Sequence, residues 1–199
     1  LLSEWFIPQY LGMTLSAEQA AMLEAQFTLI ADRVLEQPTV FVHRDYHSRN
    51  LMLTPDGELG IIDFQDAVSG PISYDLVSLL RDAYVSWPEA DVRRWVQQFR
   101  DELLAHAALD PSVTPEAFQA WFDWMGAQRH LKVVGIFARL SLRDGKHGYL
   151  DDIPLVYRYL IDEVAAYDEL QPLHQLLLSL LPVYLARHPA GQALLGDLL

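Results

Sequence analysis

The chain has 199 residues, 51% of them apolar, with 14 basic against 27 acidic side chains and a formal net charge of −13. That length and apolar fraction can bury a sizeable core within one domain and exclude a disordered chain, while the acidic balance argues against a nucleic acid or an anionic membrane as partner. Cysteine is absent, which excludes disulfides and fits a reducing, cytoplasmic setting.

Residues 1–38 read as a helical lead-in. Ser16 is placed to cap a helix with Gln19 as its capping-box partner. Leu23, Phe27, Ile30 and Val34 then share one face, and Pro38 ends the run. Residues 39–63 read as a catalytic loop and hairpin: a strand at Thr39 to Val42, a loop from His43, a second strand from Asn50 to Thr54, a turn over Pro55 to Glu58, and a third strand from Leu59 to Ile62. Residues 74–167 read as a helical subdomain. Its first helix runs from Tyr74 to Trp87, opened by Asp75. Pro88 suits the first position of the next, whose inner face uses Val92, Trp95, Val96, Phe99 and Leu103. A long helix starts at Thr114-Pro115-Glu116 and runs to about Leu142, and another spans Ile153 to Tyr167. Residues 168–199 form a helical extension containing Pro172 to His188. The longest apolar stretch, Leu173 to Ala186, is interrupted by His174, Gln175 and Ser179 and falls short of the ~20 residues a membrane helix needs. The fold class expected is mainly α with a small β-hairpin element, an α+β arrangement.

The hairpin gives the chemistry its geometry. His43-Arg44-Asp45-Tyr46-His47-Ser48-Arg49-Asn50 occupies the loop, and Ile62-Asp63-Phe64 follows the third strand. Phosphoryl transfer asks little covalent chemistry of a protein, mainly positioning and charge neutralisation. An aspartate at position 45 can accept the proton of an attacking hydroxyl. Asn50 and Asp63, brought side by side by the hairpin, are oxygen ligands suited to Mg2+, which takes few carboxylates and fills its remaining positions with water and phosphate oxygens. His43 is a loop-holding residue in this reading. A zinc site on His43 and His47 is disfavoured, because there is no cysteine and no helical H-E-x-x-H pattern.

Protein kinases carry Lys two positions after the catalytic Asp and Gly after the Asp-Phe; here those places hold His47 and Gln65. The chain instead resembles the aminoglycoside phosphotransferase and choline kinase group of small-molecule kinases, through Asp63-Phe64-Gln65-Asp66-Ala67 and Gly70-Pro71-Ile72-Ser73-Tyr74-Asp75-Leu76. The wording of Tyr74 to Asp82 and of Trp121 to Lys132 is similar to one branch, the bacterial anomeric kinases acting on N-acetylmuramate and N-acetylglucosamine in cell-wall recycling. The resemblance implies ATP-dependent, Mg2+-dependent phosphorylation of the sugar's C1 hydroxyl, with Asp45 as base, Asn50 and Asp63 on the metal, and His43, His47 and Asp75 supporting the loop. It also implies that the chain is the C-terminal lobe of a protein-kinase-like fold whose N-terminal ATP-clamp lobe is absent. No G-x-G-x-x-G occurs, and the two lysines, Lys132 and Lys146, both lie downstream of the loop. The isolated chain is therefore expected to have little activity and to need an upstream lobe of the same polypeptide.

For the acceptor, Gln128, Arg129, His130 and Lys132 form a polar cluster on the long helix, part of which is expected to face the cleft and meet the lactyl carboxylate of N-acetylmuramate. Residues adjacent on a helix point about 100° apart, so the whole cluster cannot do so. The alternative is that its cations pair with carboxylates of neighbouring helices. Asp66 and Arg81 are further candidates, whereas Trp121 and Trp124 read as core. An aminoglycoside acceptor, favoured by an acidic cleft, and a non-catalytic binding module are the competing functions. A protein kinase is disfavoured by the missing A-P-E segment and activation loop.

Overall fold

Helix signals dominate the sequence and helices dominate the computed structural model, which describes residues 1–199. Ahead of α1, Leu2–Tyr10 forms a wide π-helical segment, with the Leu11 N–H donating to the Phe6 carbonyl. The α-helices are α1 (Ala17–Leu35), α2 (Tyr74–Leu80), α3 (Glu89–Ala105), α4 (Pro115–Asp144), α5 (Ile153–Ala165), α6 (Gln171–Arg187) and α7 (Gln192–Leu195). None is long and apolar enough to cross a membrane. Four short strands make two antiparallel sheets: β1 (Thr39–Val42) pairs with β4 (Val68–Pro71), and β2 (Leu51–Leu53) with β3 (Leu59–Ile61). The α+β expectation holds, with a second small sheet that the sequence reading did not contain.

The chain divides into two compact units, Leu1–Ala31 with Ala127–Leu199, and Asp32–Gly126. In the first, α5 and α6 supply much of the core. The run Leu173 to Ala186 lies in α6 and buries Leu173, Leu176, Leu177, Leu180, Leu181, Tyr184 and Leu185. Tyr157 stacks on Tyr184 with ring centroids 5.7 Å apart, and Phe6 packs on both. The buried Tyr157 hydroxyl donates to the Leu177 carbonyl at 2.8 Å, and burial pushes its pKa up. Gly135 is required where the chain start crosses α4, because a Cβ there would come within 2.7 Å of Leu1 and Leu2 backbone atoms.

The second unit holds both sheets. β1 and β4 align Val40 with Gly70 and Val42 with Val68. The β2–β3 hairpin aligns Leu51 with Ile61 and Leu53 with Leu59. Its turn uses Gly57 at φ +82, a conformation that favours glycine, and Thr54 Oγ1 accepts the Glu58 N–H. Gln37, 4% exposed, joins the approach to β1 to the start of α2 and the interior of α4: its Oε1 accepts the Ser73 hydroxyl at 2.6 Å, and its Nε2 donates to the Trp121 carbonyl at 3.1 Å.

Two expected boundaries change. The helix expected over Tyr74 to Trp87 stops at Leu80, because Arg81 leaves helical geometry (φ −117, ψ 44) and the Asp82 carboxylate takes up the backbone N–H groups of Ser48 and Tyr84. Pro88 stands at the cap position before α3, not at its first turn residue. The capping box is as expected: Ser16 Oγ accepts the Gln19 N–H at 3.1 Å and Gln19 Oε1 accepts the Ser16 N–H at 3.0 Å. Ser16→Ala should therefore lower stability by about 1 kcal/mol, measured as a shift in the denaturant midpoint at constant slope.

Candidate functional site

β1 ends at Val42, and the next two backbone N–H groups have no strand to pair with. Asp75, in the first turn of α2, supplies both acceptors: Oδ2 takes the His43 N–H at 2.6 Å and Oδ1 the Arg44 N–H at 3.0 Å. A carboxylate accepting from backbone amides makes charge-assisted bonds stronger than neutral ones. Arg44 sits at φ +76, a left-handed conformation unusual for a residue with a side chain, and its guanidinium donates to the Asp66 carbonyl at 3.3 Å. The chain then turns so that Asp45 enters the loop half-buried.

The loop closes on Asp45's backbone rather than its carboxylate. The Asp45 carbonyl accepts the His47 N–H at 3.1 Å and the Asn50 Nδ2–H at 2.9 Å. With its amide nitrogen engaged in that way, Asn50 keeps Oδ1 as the atom available to a cation. A 3-10 turn, Ser48–Asn50, leads directly into β2.

The partner strand is then fixed beside it. Ile62 is held on both sides, its N–H donating to the Asn50 carbonyl at 3.1 Å and its carbonyl accepting the His43 Nε2–H at 3.0 Å. Asp63 follows at φ +68, the second left-handed residue of the site, and its Oδ1 accepts the Gln65 amide at 2.7 Å. The structure thus brings Asp45, Asn50 and Asp63 together on one loop and one hairpin. Asn50 and Asp63 offer one amide and one carboxylate oxygen, ligand types that Mg2+ accepts alongside water and phosphate.

Of the supporting residues, His43 is 4% exposed and bridges β1 to Ile62, and its ring meets Tyr46 edge-on. His47 packs against the Tyr84 ring with centroids 5.6 Å apart. Asp66 is exposed. Arg81 pairs with Glu89 at 2.6 Å.

The α4 cluster lies in the other unit. His130 is buried and its Nδ1 lies 2.8 Å from Glu163 Oε2 on α5, with the Tyr159 ring against it. Arg129 is buried. Gln128 and Lys132 line a mainly apolar cavity of about 300 Å³ with Leu2, Phe27, Ile30 and Leu131. Trp124 is core, beneath the Arg33 guanidinium. Three contributors at the loop escaped the sequence reading: Gln65, Asp82 and Tyr84. The one available signal for Asp82 was an acidic residue two positions beyond the apolar run Leu79-Leu80.

An aspartate and an asparagine on one gripped loop, with a second aspartate on the adjoining hairpin, are the residue types a phosphotransferase site uses. Residues 2–113 match the phosphotransferase enzyme family, APH, and the chain belongs to that family. It is 47% identical over 180 residues to the N-acetylmuramate/N-acetylglucosamine kinase of Neisseria meningitidis, covering 90% of this chain and 53% of that protein. It is 46% identical over 181 residues to the kinase of the same name from Pseudomonas aeruginosa, with 90% and 53% covered. For the one from Caulobacter vibrioides the identity is 37% over 163 residues, with 79% and 42% covered. The chain spans about half the length of the curated relatives it matches.

Asp75→Ala leaves two N–H groups without an acceptor, at about 1–3 kcal/mol for each that remains buried. Faster amide exchange at His43 and Arg44, with lowered global stability, is the expected result. Asp75→Asn, which keeps one acceptor oxygen, should fall between.

Proposed function

We propose that this chain is the larger lobe of an ATP-dependent kinase that phosphorylates a small-molecule hydroxyl, most directly the C1 hydroxyl of N-acetylmuramate or N-acetylglucosamine. The observation that carries the phosphotransferase reading is the double anchoring of Ile62, which sets Asp63 beside Asn50 while Asp45 stays on the same loop. The printed names of the relatives carry the sugar. An upstream lobe of the same polypeptide supplies the remaining contacts to ATP.

In this reading the acceptor oxygen attacks the γ-phosphorus, the bond from that phosphorus to the ADP oxygen breaks, and the acceptor's proton passes to the Asp45 carboxylate. Asn50 Oδ1 and Asp63 would hold the Mg2+, which would supply charge neutralisation at the phosphates. Asp75 and His43 keep the loop in place without touching either substrate.

The experiment is ADP release by the full-length protein with Mg-ATP and N-acetylmuramate, N-acetylglucosamine, kanamycin or choline. Turnover on the amino sugars giving an acid-labile 1-phosphate is expected. Turnover on kanamycin or choline alone would replace the sugar while keeping the mechanism, and silence on all four would overturn the kinase reading. In that protein Asp45→Asn should lower kcat by roughly 10²–10⁴, the worth of a positioned general base, and Asp63→Ala should abolish metal-dependent turnover. Gln128→Ala, Arg129→Ala and Lys132→Ala, assayed on both sugars, test the acceptor role of α4. A KM increase confined to N-acetylmuramate supports a carboxylate contact, and equal changes remove it.

A further inference from the structure

Asp82 has no part in the chemistry described so far, yet it is a carboxylate with 2% of its surface exposed, just beyond the end of α2. Burying a carboxylate is costly unless donors replace its water. Here two backbone groups do so: Oδ2 accepts the Ser48 N–H at 2.9 Å, and Oδ1 accepts the Tyr84 N–H at 3.1 Å. Ser48 is the first residue of the 3-10 turn that ends at Asn50. Tyr84, fixed by the other carboxylate oxygen, lays its ring under the Arg49 guanidinium at 3.4 Å and against the His47 ring. An aromatic face attracts a cation placed in this way. One carboxylate therefore holds both the backbone of the turn and the platform on which its side chains rest.

The geometry points to Asp82 as a positioning residue for the metal-ligand turn. By accepting the Ser48 N–H it sets the pitch of Ser48–Asn50, and so the direction in which Asn50 presents Oδ1; the Tyr84–Arg49 stack braces the same turn from the side. The loop is thereby gripped at both ends, by Asp75 at His43 and Arg44 and by Asp82 at Ser48. The task needs a double acceptor. Asparagine offers one oxygen and turns an N–H2 group toward an N–H, so Asp82→Asn conserves shape but removes the charge and loses one of the two bonds.

This inference rests on the assignment of Asn50 as a metal ligand, and the test separates the two. In the full-length protein with ATP, Mn2+ binding is titrated by electron paramagnetic resonance for wild type, Asp63→Ala, Asp82→Asn and Tyr84→Ala, alongside thermal unfolding and amide exchange at Ser48. Loss of binding in Asp63→Ala establishes the metal site whether or not turnover is seen. Asp82→Asn is then expected to weaken Mn2+ about tenfold, as outer partners of metal ligands do, with faster exchange at Ser48 and a proportionate rise in half-saturating Mg2+ for turnover. Tyr84→Ala, which leaves the carboxylate in place, should weaken Mn2+ in the same direction and keeps the question answerable if Asp82→Asn fails to fold. Unchanged Mn2+ affinity in folded Asp82→Asn or Tyr84→Ala would overturn the positioning role, even if stability falls. Intact Mn2+ binding in Asp63→Ala would overturn the metal assignment and this inference with it.

Discussion

Two N–H groups at the end of β1 set the terms for everything downstream. A strand that stops at Val42 leaves His43 and Arg44 with donors but no ladder, and a buried donor without an acceptor is costly. Asp75 resolves both with one carboxylate, from an element that follows in sequence only after both sheets are complete. Once those bonds form, Arg44 is held in its left-handed conformation, Asp45 is delivered into the loop, and the His43 ring reaches Ile62. The β2–β3 pairing, extended by the Ile62 N–H on the Asn50 carbonyl, brings the backbone of Asp63 next to that of Asn50.

This dependence explains what could and could not be read ahead of the structure. The loop spacing, the hairpin turn with its Gly57, the capping box at Ser16 and Gln19, and the long helices are local patterns, each carried by residues within a few positions of one another. β4 was invisible because Val68-Ser69-Gly70-Pro71 has a poor strand composition and is made a strand by pairing with β1, a partner distant in sequence. The early end of α2 was hidden for a related reason: apolar periodicity continues past Leu80, but Asp82 has Ser48 and Tyr84 as non-helical partners. His130 belongs to a polar cluster of which part was expected to face the cleft, and its partner Glu163 lies on another helix, 33 residues away.

The two halves of the functional reading stand on different kinds of support. Base, metal ligands and loop anchors are argued from hydrogen bonds among residues 43–82, all inside one compact unit. The proposed acceptor comes from likeness to named kinases, of which this chain covers 53% of the length.

The β2–β3 hairpin carries a cost of its own. Met52 is 52% exposed, Leu53 77% and Leu59 57%, so the ribbon that carries Asn50 and Asp63 at its base is also apolar on its surface. Against this stands a net charge of −13, which makes any two copies repel before such surfaces can meet. That repulsion reaches about 30 Å at 0.01 M salt and only about 8 Å at physiological ionic strength. The same acidity that argues against a nucleic-acid partner thus has a second physical meaning: it opposes contact between exposed apolar ribbons, and salt is the variable that erodes it.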